Sequence, residues 1–465
     1  MTTTAQTSPD PRVLRRVLGA AVVGSSLEWY DFFLFSTASA LVLGRLFFPT
    51  SDPAVGTLLA LATFGVGFFA RPVGSVIFGR LGDKLGRRPT LVATLLLMGF
   101  TTTVIGLLPT YATIGIWAPL SLVVLRLLQG LGAGAEHAGA TIFAVEYAPP
   151  HRRGLFGGVP ASGLYVGVVL SSTVYALFAS MPEEQFLAWG WRVPFLLSFV
   201  LVAVGMYIRL KTEETPEFRQ LDREDGDAPK APLTRTFRDQ WRSVLVIIGL
   251  VAGPFTATYA YQTYALSFLA DRVGMTGLVG TYALTIAGLV AIAFTLASGA
   301  LSDRWGRRTV IVLGGIVSGA FAFPFFWLLS IGSAAAVVLA MVGGVGIGVP
   351  LMLGCQGALF SELFSTDSRF TGFSVSRELG SILFAGMTPF AAAMLVEWAD
   401  GRPWPVSVYV LAAVSLTVVT ALVIREPAAR EHLPGSQTDP RAGRAAASPA
   451  AVGPVLTDRR VVDPG

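Results

Sequence analysis

Ten residues between two long apolar stretches, Gly79-Arg-Leu-Gly-Asp-Lys-Leu-Gly-Arg-Arg88, recur as Gly299-Ala-Leu-Ser-Asp-Arg-Trp-Gly-Arg-Arg308. The two copies begin 220 residues apart (299 minus 79) and agree at six of ten positions. Charged residues make up only 14% of the chain, so a repeated group of them between apolar stretches is unusual. A duplicated turn of this kind predicts two homologous halves that move against each other, as in a membrane transporter.

The composition and the lengths of the apolar stretches predict a polytopic membrane protein. Of 465 residues, 53% are hydrophobic, and the mean hydropathy is +0.64. A helix needs about 20 apolar residues to cross the hydrocarbon core, and every backbone amide in lipid must be paired internally. The sequence has twelve suitable runs: 18–43, 55–78, 89–108, 114–145, 155–179, 193–210, 243–269, 279–301, 309–329, 334–360, 370–396 and 405–424. We therefore predict an all-α membrane fold of twelve transmembrane helices in two six-helix pseudo-repeats.

The basic residues predict which side of the membrane each helix end faces. Of 34 lysines and arginines, 27 lie in the two termini and in the even-numbered turns. Basic residues accumulate in cytoplasmic loops, so both termini are predicted to be cytoplasmic. The spread of basic groups over short turns explains the pI of about 9.5 without any nucleic acid partner. Three arginines fall within the apolar runs: Arg71, Arg126 and Arg377.

Polar stretches divide the chain into five segments. The longest polar stretch between runs separates the sixth run from the seventh, and the C-terminal tail is rich in Ala, Pro, Gly and Arg without apolar periodicity. With one cysteine, Cys355, and three scattered histidines, no disulfide framework and no metal site are expected. We predict a cytoplasmic N-terminal arm, a six-helix half, a cytoplasmic linker, a second six-helix half and a disordered cytoplasmic tail: 1–16, 17–210, 211–242, 243–425 and 426–465.

The repeat extends to a second charged turn, which predicts a cytoplasmic gate in each half. Glu146 stands seven residues before Arg153, and Glu362 stands seven before Arg369. Topology alone explains arginines and a glycine at any one turn, but it does not require matched acidic residues. Exposed ion pairs are worth only about 0–1 kcal/mol, which suits a contact that must open, and we hypothesise that Asp83→Asn favours the inward-open state. The predicted gate residues are Gly79, Asp83, Gly86, Arg87, Arg88, Glu146, Arg153, Asp303, Arg307, Arg308, Glu362 and Arg369.

Ionisable residues within the first and fourth runs predict a proton-coupling site. Glu28 and Asp31 lie at i and i+3, on one face of a helix, and the fourth run carries Arg126 and Glu136. Each charge costs at least about 2.5–3.5 kcal/mol to insert at the centre of a membrane helix, so it needs a reason. A carboxylate whose cationic partner moves between two states can load a proton on one side and release it on the other. The alternative is a fixed ion pair that locks the two helices together.

A further group of residues is a weaker prediction for the substrate site. Arg377 can receive a substrate carboxylate, although a pair with Glu378 inside the helix bundle explains it equally well. The aromatic residues of the first and seventh runs can enclose a quaternary ammonium, or they are packing residues. His137, beside Glu136, is as consistent with helix packing as with proton transfer. The substrate-site candidates are Arg126, Arg377, Tyr264, Gln262 and Trp29.

These residues resemble the major facilitator superfamily over residues 13–425. The paired turns resemble its signature between helices 2 and 3 and between helices 8 and 9, and Arg126-Leu-Leu-Gln-Gly130 resembles its helix-4 motif, in which the arginine is associated with proton transfer. The chain is more closely similar to the metabolite:H⁺ symporter branch, which transports betaines, proline, dicarboxylates, citrate or shikimate. The strings that carry this resemblance are Glu28-Trp-Tyr-Asp-Phe32, Gly134-Ala-Glu136, Glu146-Tyr-Ala-Pro149, Gly190-Trp-Arg-Val-Pro-Phe195 and Glu214-Thr-Pro-Glu-Phe218.

The resemblance implies a major facilitator fold and a proton-coupled importer of a small carboxylated or zwitterionic metabolite. We expect a multi-pass protein of a bacterial inner membrane that works as a monomer, with solute, protons and lipid as its partners. Enzyme motifs are absent, so we expect no enzyme activity and no cofactor. No phosphate-binding Walker loop occurs in the sequence, so we expect the proton gradient, and not ATP, to supply the energy. Two alternatives stay open: a proton antiporter or exporter of a small organic solute, and a nutrient receptor that does not transport.

Overall fold

The computed structural model describes residues 11–50, 52–85, 87–134, 136–146, 148–211, 238, 240–364 and 369–424. Within these ranges, nothing is described of the side chains of residues 11–17, 20, 79, 80, 82–85, 87, 88, 91, 136, 137, 143, 150 and 208–211. Most of the predicted linker and the predicted tail lie outside these ranges. The described part forms one compact unit, in which both predicted halves take part.

Within the described ranges, twelve helices with the length or apolar character of membrane spans match the twelve predicted runs. Ten of them are each long and apolar enough to cross a membrane. α6 consists of two helices that meet at an angle of 41°, and α3 is shorter than the others. Their bounds are α1 (Ala21–Phe47), α2 (Pro53–Phe78), α3 (Val92–Leu107), α4 (Trp117–Glu146), α5 (Arg153–Ala179), α6 (Glu183–Gly190 with Arg192–Tyr207), α7 (Trp241–Val273), α8 (Gly277–Trp305), α9 (Arg307–Ser330), α10 (Ala334–Glu362), α11 (Arg369–Trp398) and α12 (Trp404–Val423). The predicted all-helical membrane fold is confirmed.

The two halves repeat the same helix packing. In the first half α1 packs on α5, α2 on α4 and α3 on α6; in the second half α7 packs on α11, α8 on α10 and α9 on α12. Each second-half pair is the first-half pair shifted by six helices. The halves meet through α5 with α8 and through α2 with α11, which are equivalent pairs under the same shift. The duplicated turn is thus the visible part of a duplicated six-helix unit.

The two ends of the bundle are named here for the duplicated turns. The turn face is the end where α2, α4, α8 and α10 finish and where α3, α5, α9 and α11 begin. The opposite face is the other end, where α1, α5, α7 and α11 finish.

The helix that contains α1 extends beyond the membrane span towards the N-terminus, and it begins earlier than the sequence predicted. Its helical residues run from Pro11, inside the predicted arm of 1–16, and residues 1–10 lie outside the described chain. Proline suits the first turn of a helix, since its missing N–H has no partner there in any case. The polar composition of the arm hid this helical start.

The outer surface of the bundle is apolar, as a lipid-facing surface must be. Large hydrophobic side chains more than half exposed occur in both halves, among them Phe100, Phe199, Leu289, Trp327 and Val423. A soluble monomer rarely exposes contiguous apolar patches beyond a few hundred Å². Lipid tails solvate such side chains, so this surface fits a bilayer.

Close helix packing in the first half depends on glycine. A Cβ added at Gly130 of α4 would lie 2.0 Å from the carbonyl oxygen of Gly67, and one at Gly134 would lie 2.0 Å from that of Arg71. Small residues let membrane helices approach backbone to backbone in this way. These contacts hold α2 against α4 and so fix the position of the Arg71 side chain.

We predict that Gly130→Ala destabilises the folded protein by about 1–3 kcal/mol, because the added methyl group overlaps the backbone of α2. The matched control is Gly139→Ala in the same helix, where the nearest atom to an added Cβ is 3.5 Å away. A thiol-reactive dye reports unfolding directly, since Cys355 is the single cysteine and is buried. Equal melting temperatures for the two variants would contradict the packing described.

Candidate functional site at the interface of the halves

Four charged side chains form a buried network where the halves meet. Glu28 on α1 and Arg71 on α2 come from the first half, and Arg377 and Glu378 on α11 come from the second. The Arg71 guanidinium lies 3.7 Å from Glu28 (Nη2 to Oε1) and 3.6 Å from Glu378 (Nη1 to Oε2). Arg377 Nη1 donates a hydrogen bond to Glu378 Oε1 at 2.6 Å. Two acids balance two arginines, and none of the four residues is more than 5% exposed.

Aromatic rings enclose the Arg71 guanidinium. Its Cζ lies 4.7 Å from the ring centroid of Phe32, 5.0 Å from that of Phe68 and 5.6 Å from that of Trp29. Tyr259, on α7 of the other half, packs against two of these rings, with centroid distances of 6.1 Å to Phe32 and 5.5 Å to Phe68. Ring faces stabilise a cation from which water is excluded. Trp29, a predicted substrate contact, therefore lies at the charged centre.

A second polar chain connects Asp31 to Arg126 within the first half. Ser198 on α6 donates a hydrogen bond to Asp31, and Thr102 on α3, whose hydroxyl donates to the carbonyl oxygen of Met98 at 2.9 Å, lies beside the same carboxylate. Gln129 Nε2 donates to Thr102 Oγ1 at 2.8 Å, and Arg126 donates to Gln129 Oε1. A hydroxyl and an amide therefore stand between the carboxylate and the arginine, in place of a direct ion pair.

Phe32 links the two polar groups. Its ring centroid lies 5.2 Å from the Cζ of Arg126, and the ring centroid of Phe35 lies 3.9 Å from the same atom. Arg126 Nη2 also donates to the carbonyl oxygen of Phe64 on α2, at 3.0 Å. A displacement of Arg71 or of Phe32 therefore reaches the surroundings of Arg126 through direct contact.

The two candidates on α7 lie in different surroundings. Gln262 is buried, and neither of its amide atoms has a hydrogen-bond partner among the residues described. Buried amides are nearly always paired in folded proteins, so Gln262 offers a donor and an acceptor to a solute. Tyr264 packs against Phe268 and Phe326 within the second half, with ring centroids 6.3 Å apart in each case. It is not brought to the charged centre.

On the turn face, polar contacts hold the halves together. Asp303, at the end of α8, accepts hydrogen bonds from the backbone amides of Gly154 at 2.7 Å and Leu155 at 2.9 Å. These amides open α5 in the other half, where a carboxylate is favoured by the helix dipole. Arg369 of the second half donates to Glu146 of the first at 3.0 Å. The turn face is therefore closed across the halves.

The other predicted gate residues are described only in part. Arg307 and Glu362 form an ion pair of 2.8 Å inside the second half, Arg153 opens α5, and Arg308 lies exposed beside Arg307. Gly79 belongs to the helical extension of α2 (Pro53–Leu85). The remaining predictions concern positions or side chains that lie outside the described part: Asp83, Gly86, Arg87, Arg88 and Glu136.

The opposite face is closed as well. Ser36 on α1 and Thr263 on α7 share a buried hydrogen bond of 2.6 Å between their hydroxyls. Ser172 on α5 and Thr285 on α8 share another, at 2.8 Å. With contacts between the halves at both ends and the charged centre buried, the described chain is in a closed state. Such a bundle exposes its centre only when the halves separate at one end.

Residues 21–385, most of the chain, match the sequence profile of the Major Facilitator Superfamily. The chain belongs to this superfamily. Its relatives include the shikimate transporter of Escherichia coli (strain K12), 36% identical over 91% of this chain and 98% of that protein. The proline/betaine transporter of Salmonella typhimurium is 36% identical over 90% of this chain and 85% of that protein. These relatives match the metabolite:H⁺ symporter branch, so the chain is a multi-pass membrane transporter and not an enzyme.

Solved structures confirm the major facilitator fold. The crystal structure of a D-xylose-proton symporter matches with a TM-score of 0.68 at 16% sequence identity, covering 90% of this chain and 99% of that one. A partially occluded, inward-open xylose transporter from E. coli matches with a TM-score of 0.66 at 16% identity, covering 88% and 97%. At this identity the likeness establishes the arrangement of helices and nothing about the solute.

The sequence did not identify the residue at the middle of the site. Arg71 has no acidic residue three or four positions away on its own helix, so no local pattern pointed to a partner. Its carboxylate neighbours come from α1 and α11, which only the fold brings together. The one available signal was an arginine inside an apolar run, which by itself marks a functional candidate.

We predict that Asp303→Asn opens the turn face, because an amide lacks the charge that favours a carboxylate at the start of α5. A loss of about 0.5–2 kcal/mol corresponds to a roughly 2- to 30-fold lower ratio of closed to open protein. Spin labels at His151→Cys and Thr309→Cys, one in each half on the turn face, measure this opening in a Cys355→Ser background. Asp52→Asn, an exposed change on the opposite face, is the control; unchanged distances in the Asp303 variant would refute the assignment.

Proposed function

We propose that this protein imports a small carboxylated or zwitterionic metabolite together with protons, by alternating access. The observation that carries the proposal is the pair of buried carboxylates on one face of α1, Asp31 and Glu28, each connected to a buried arginine. Membrane-embedded ionisable residues that face a bundle interior mark solute pathways and proton relays. The relatives support the same class, since the names of two of them specify shikimate and proline or betaine.

Asp31 is the residue that we assign to proton coupling. Its described partners are the hydroxyls of Ser198 and Thr102, and no described cation lies within ion-pair distance of it. In general, a buried carboxylate without a cation favours the protonated form, whereas a nearby cation favours the ionised form. Because Arg126 lies only two hydrogen-bonded groups away, a small rearrangement brings the cation closer or removes it. Loading and release of a proton can therefore follow the conformational change.

Glu28 and Glu136 remain candidates for the same proton pathway. Glu28 lies one turn from Asp31 on α1, and both line a crevice between α1, α3 and α6. The other wall of this crevice is apolar, with Leu95 of α3 and Leu201 of α6 among its residues. Glu136 lies further along α4 towards the turn face, so we assign it a role in proton release.

The basic residues support a cytoplasmic turn face. Described arginines on that face are Arg152, Arg153, Arg238, Arg242, Arg304, Arg307, Arg308 and Arg369, and those on the opposite face are Arg45, Arg192, Arg272 and Arg402. The excess follows the rule that cytoplasmic loops are the more basic. Import then begins with separation of the halves at the opposite face.

The solute site proposed here lies between the halves at the charged centre. Gln262 on α7 supplies an amide that the described protein leaves unpaired, and Trp29 on α1 supplies an aromatic ring beside Arg71. Arg126 and Arg377 supply positive charge. A carboxylated solute with an additional polar or cationic group matches this set of side chains.

We predict that Asp31→Asn abolishes proton-driven accumulation but leaves solute exchange intact, since a side chain that cannot release a proton still permits the loaded carrier to cross. The measurement is uptake of labelled shikimate and glycine betaine into proteoliposomes, with and without an imposed pH gradient. Wild-type accumulation should collapse when a protonophore is added. Asp52→Asn serves as the matched control and should accumulate solute normally.

Three outcomes would contradict this assignment. Accumulation by Asp31→Asn at the wild-type level would remove Asp31 from the coupling step. Solute efflux driven by an inward proton gradient would indicate an antiporter. A wild-type protein that binds a probe but never moves it would indicate a receptor.

A further inference from the structure

Of the ion pairs between described side chains, two join the halves, and one of these is buried. Arg369 and Glu146 meet on the turn face, where their side chains are 24% and 47% exposed. Arg71 and Glu378 meet at the centre, where theirs are 1% and 3% exposed. The Arg71–Glu378 contact is therefore the charged interaction that must break whenever α2 and α11 separate.

The Arg71 guanidinium is held by charge and ring contacts and has hydrogen-bonding capacity left over. Its distances to Glu28 and Glu378, 3.7 and 3.6 Å, exceed the usual length of an N–H···O bond. Its Nε and Nη2 atoms are buried without a hydrogen-bond partner in the described part of the protein. A guanidinium binds a carboxylate most strongly through two parallel hydrogen bonds, and neither glutamate provides them.

Glu378 stays paired when Arg71 is withdrawn. Its Oε1 accepts a hydrogen bond from Arg377 at 2.6 Å, and its Oε2 accepts one from Ser381 at 3.0 Å. Both partners lie on α11 with it and move as one element. Of the three contacts that the Glu378 carboxylate makes, the one with Arg71 is therefore the one that can be exchanged.

We propose that Arg71 binds the carboxylate of the transported solute, and that Glu378 occupies this place when the empty protein closes. This deepens the proposed function and rests on it, since it assumes that a carboxylated solute enters between the halves. With solute bound, the solute carboxylate neutralises Arg71. Without solute, Glu378 does so, which lets the empty carrier pass through the closed state and return for another molecule.

The proposal separates two transport modes. Net uptake requires the empty carrier to return, whereas exchange of internal for external solute does not. Glu378→Gln removes the internal carboxylate, so it should reduce net uptake of shikimate or glycine betaine at least about tenfold while leaving exchange within about twofold. It should also lower the half-saturating concentration for exchange by about fivefold, because the competing carboxylate is gone.

Arg71 variants should fail in both modes. Arg71→Gln should raise the half-saturating concentration about thirtyfold or more, and Arg71→Lys should not restore it, because an ammonium lacks the two-pronged geometry. Arg45→Gln and Glu183→Gln alter an exposed ion pair within the first half and serve as matched controls. Melting curves followed through Cys355 show whether each variant is folded.

A measurement without solute tests the second part independently. Spin labels at Ser180→Cys and Ala335→Cys report on the opposite face, and those at His151→Cys and Thr309→Cys report on the turn face. In the empty Glu378→Gln protein, at least one pair should move from the closed to a longer distance. Distances identical to those of the wild type would overturn the proposal.

The failures of the two proposals are distinguishable. If the wild type takes up a probe and Arg71→Gln exchanges it with unchanged half-saturation, this inference is overturned and the proposed function stands. If the wild type takes up neither probe, the proposed solute class fails. The distance measurement then tests the part assigned to Glu378 alone: a Glu378→Gln protein that opens supports that part, and one that stays closed overturns it.

Discussion

The packing of the two halves depends on how one buried cation, Arg71, is neutralised. An arginine at the centre of a membrane helix costs about 2.5–3.5 kcal/mol on insertion scales, and removing one partner from a buried pair costs about 3–5 kcal/mol. Arg71 meets this cost with a carboxylate from each half and with aromatic rings from α1 and α2. An exposed pair such as Arg369–Glu146 is worth only about 0–1 kcal/mol. Loss of a partner at the buried centre therefore costs more free energy than loss of the exposed Arg369–Glu146 pair.

This balance of charge explains why a conformational change and a change of ligand go together. Glu28, Arg71, Arg377 and Glu378 carry no net formal charge when ionised, so adding a proton or a carboxylate unbalances them. An exchange of partners then decides which charge is left unpaired, and the Arg71–Glu378 partnership crosses between the halves. The turn face adds a weaker lock in the form of Asp303 on the first amides of α5. Weak contacts at the two faces and a strong one at the centre suit a carrier in which first one face and then the other must open.

The fold followed closely from the sequence, because span length and apolar content are local properties. Each observed helix overlaps its predicted run, and the Gly79–Arg88 repeat correctly indicated two equivalent halves. The early start of α1 at Pro11 was missed because polar residues dominate the arm. The site was harder to predict, since its contacts are between helices far apart in sequence. Asp31 and Arg126 do lie near one polar chain, but Thr102, which stands between Asp31 and Gln129 of the helix-4 motif, belongs to no pattern that the sequence shows.

Proton entry during solute uptake tests most directly whether solute and protons cross the membrane together. Proteoliposomes that contain the purified protein and a trapped pH indicator are given glycine betaine, which has no proton of its own to release near neutral pH, or shikimate. We predict that the lumen acidifies as whichever solute is carried is taken up, and that no acidification occurs in protein-free vesicles or with Asp31→Asn. Uptake of solute without any change in lumenal pH would contradict it.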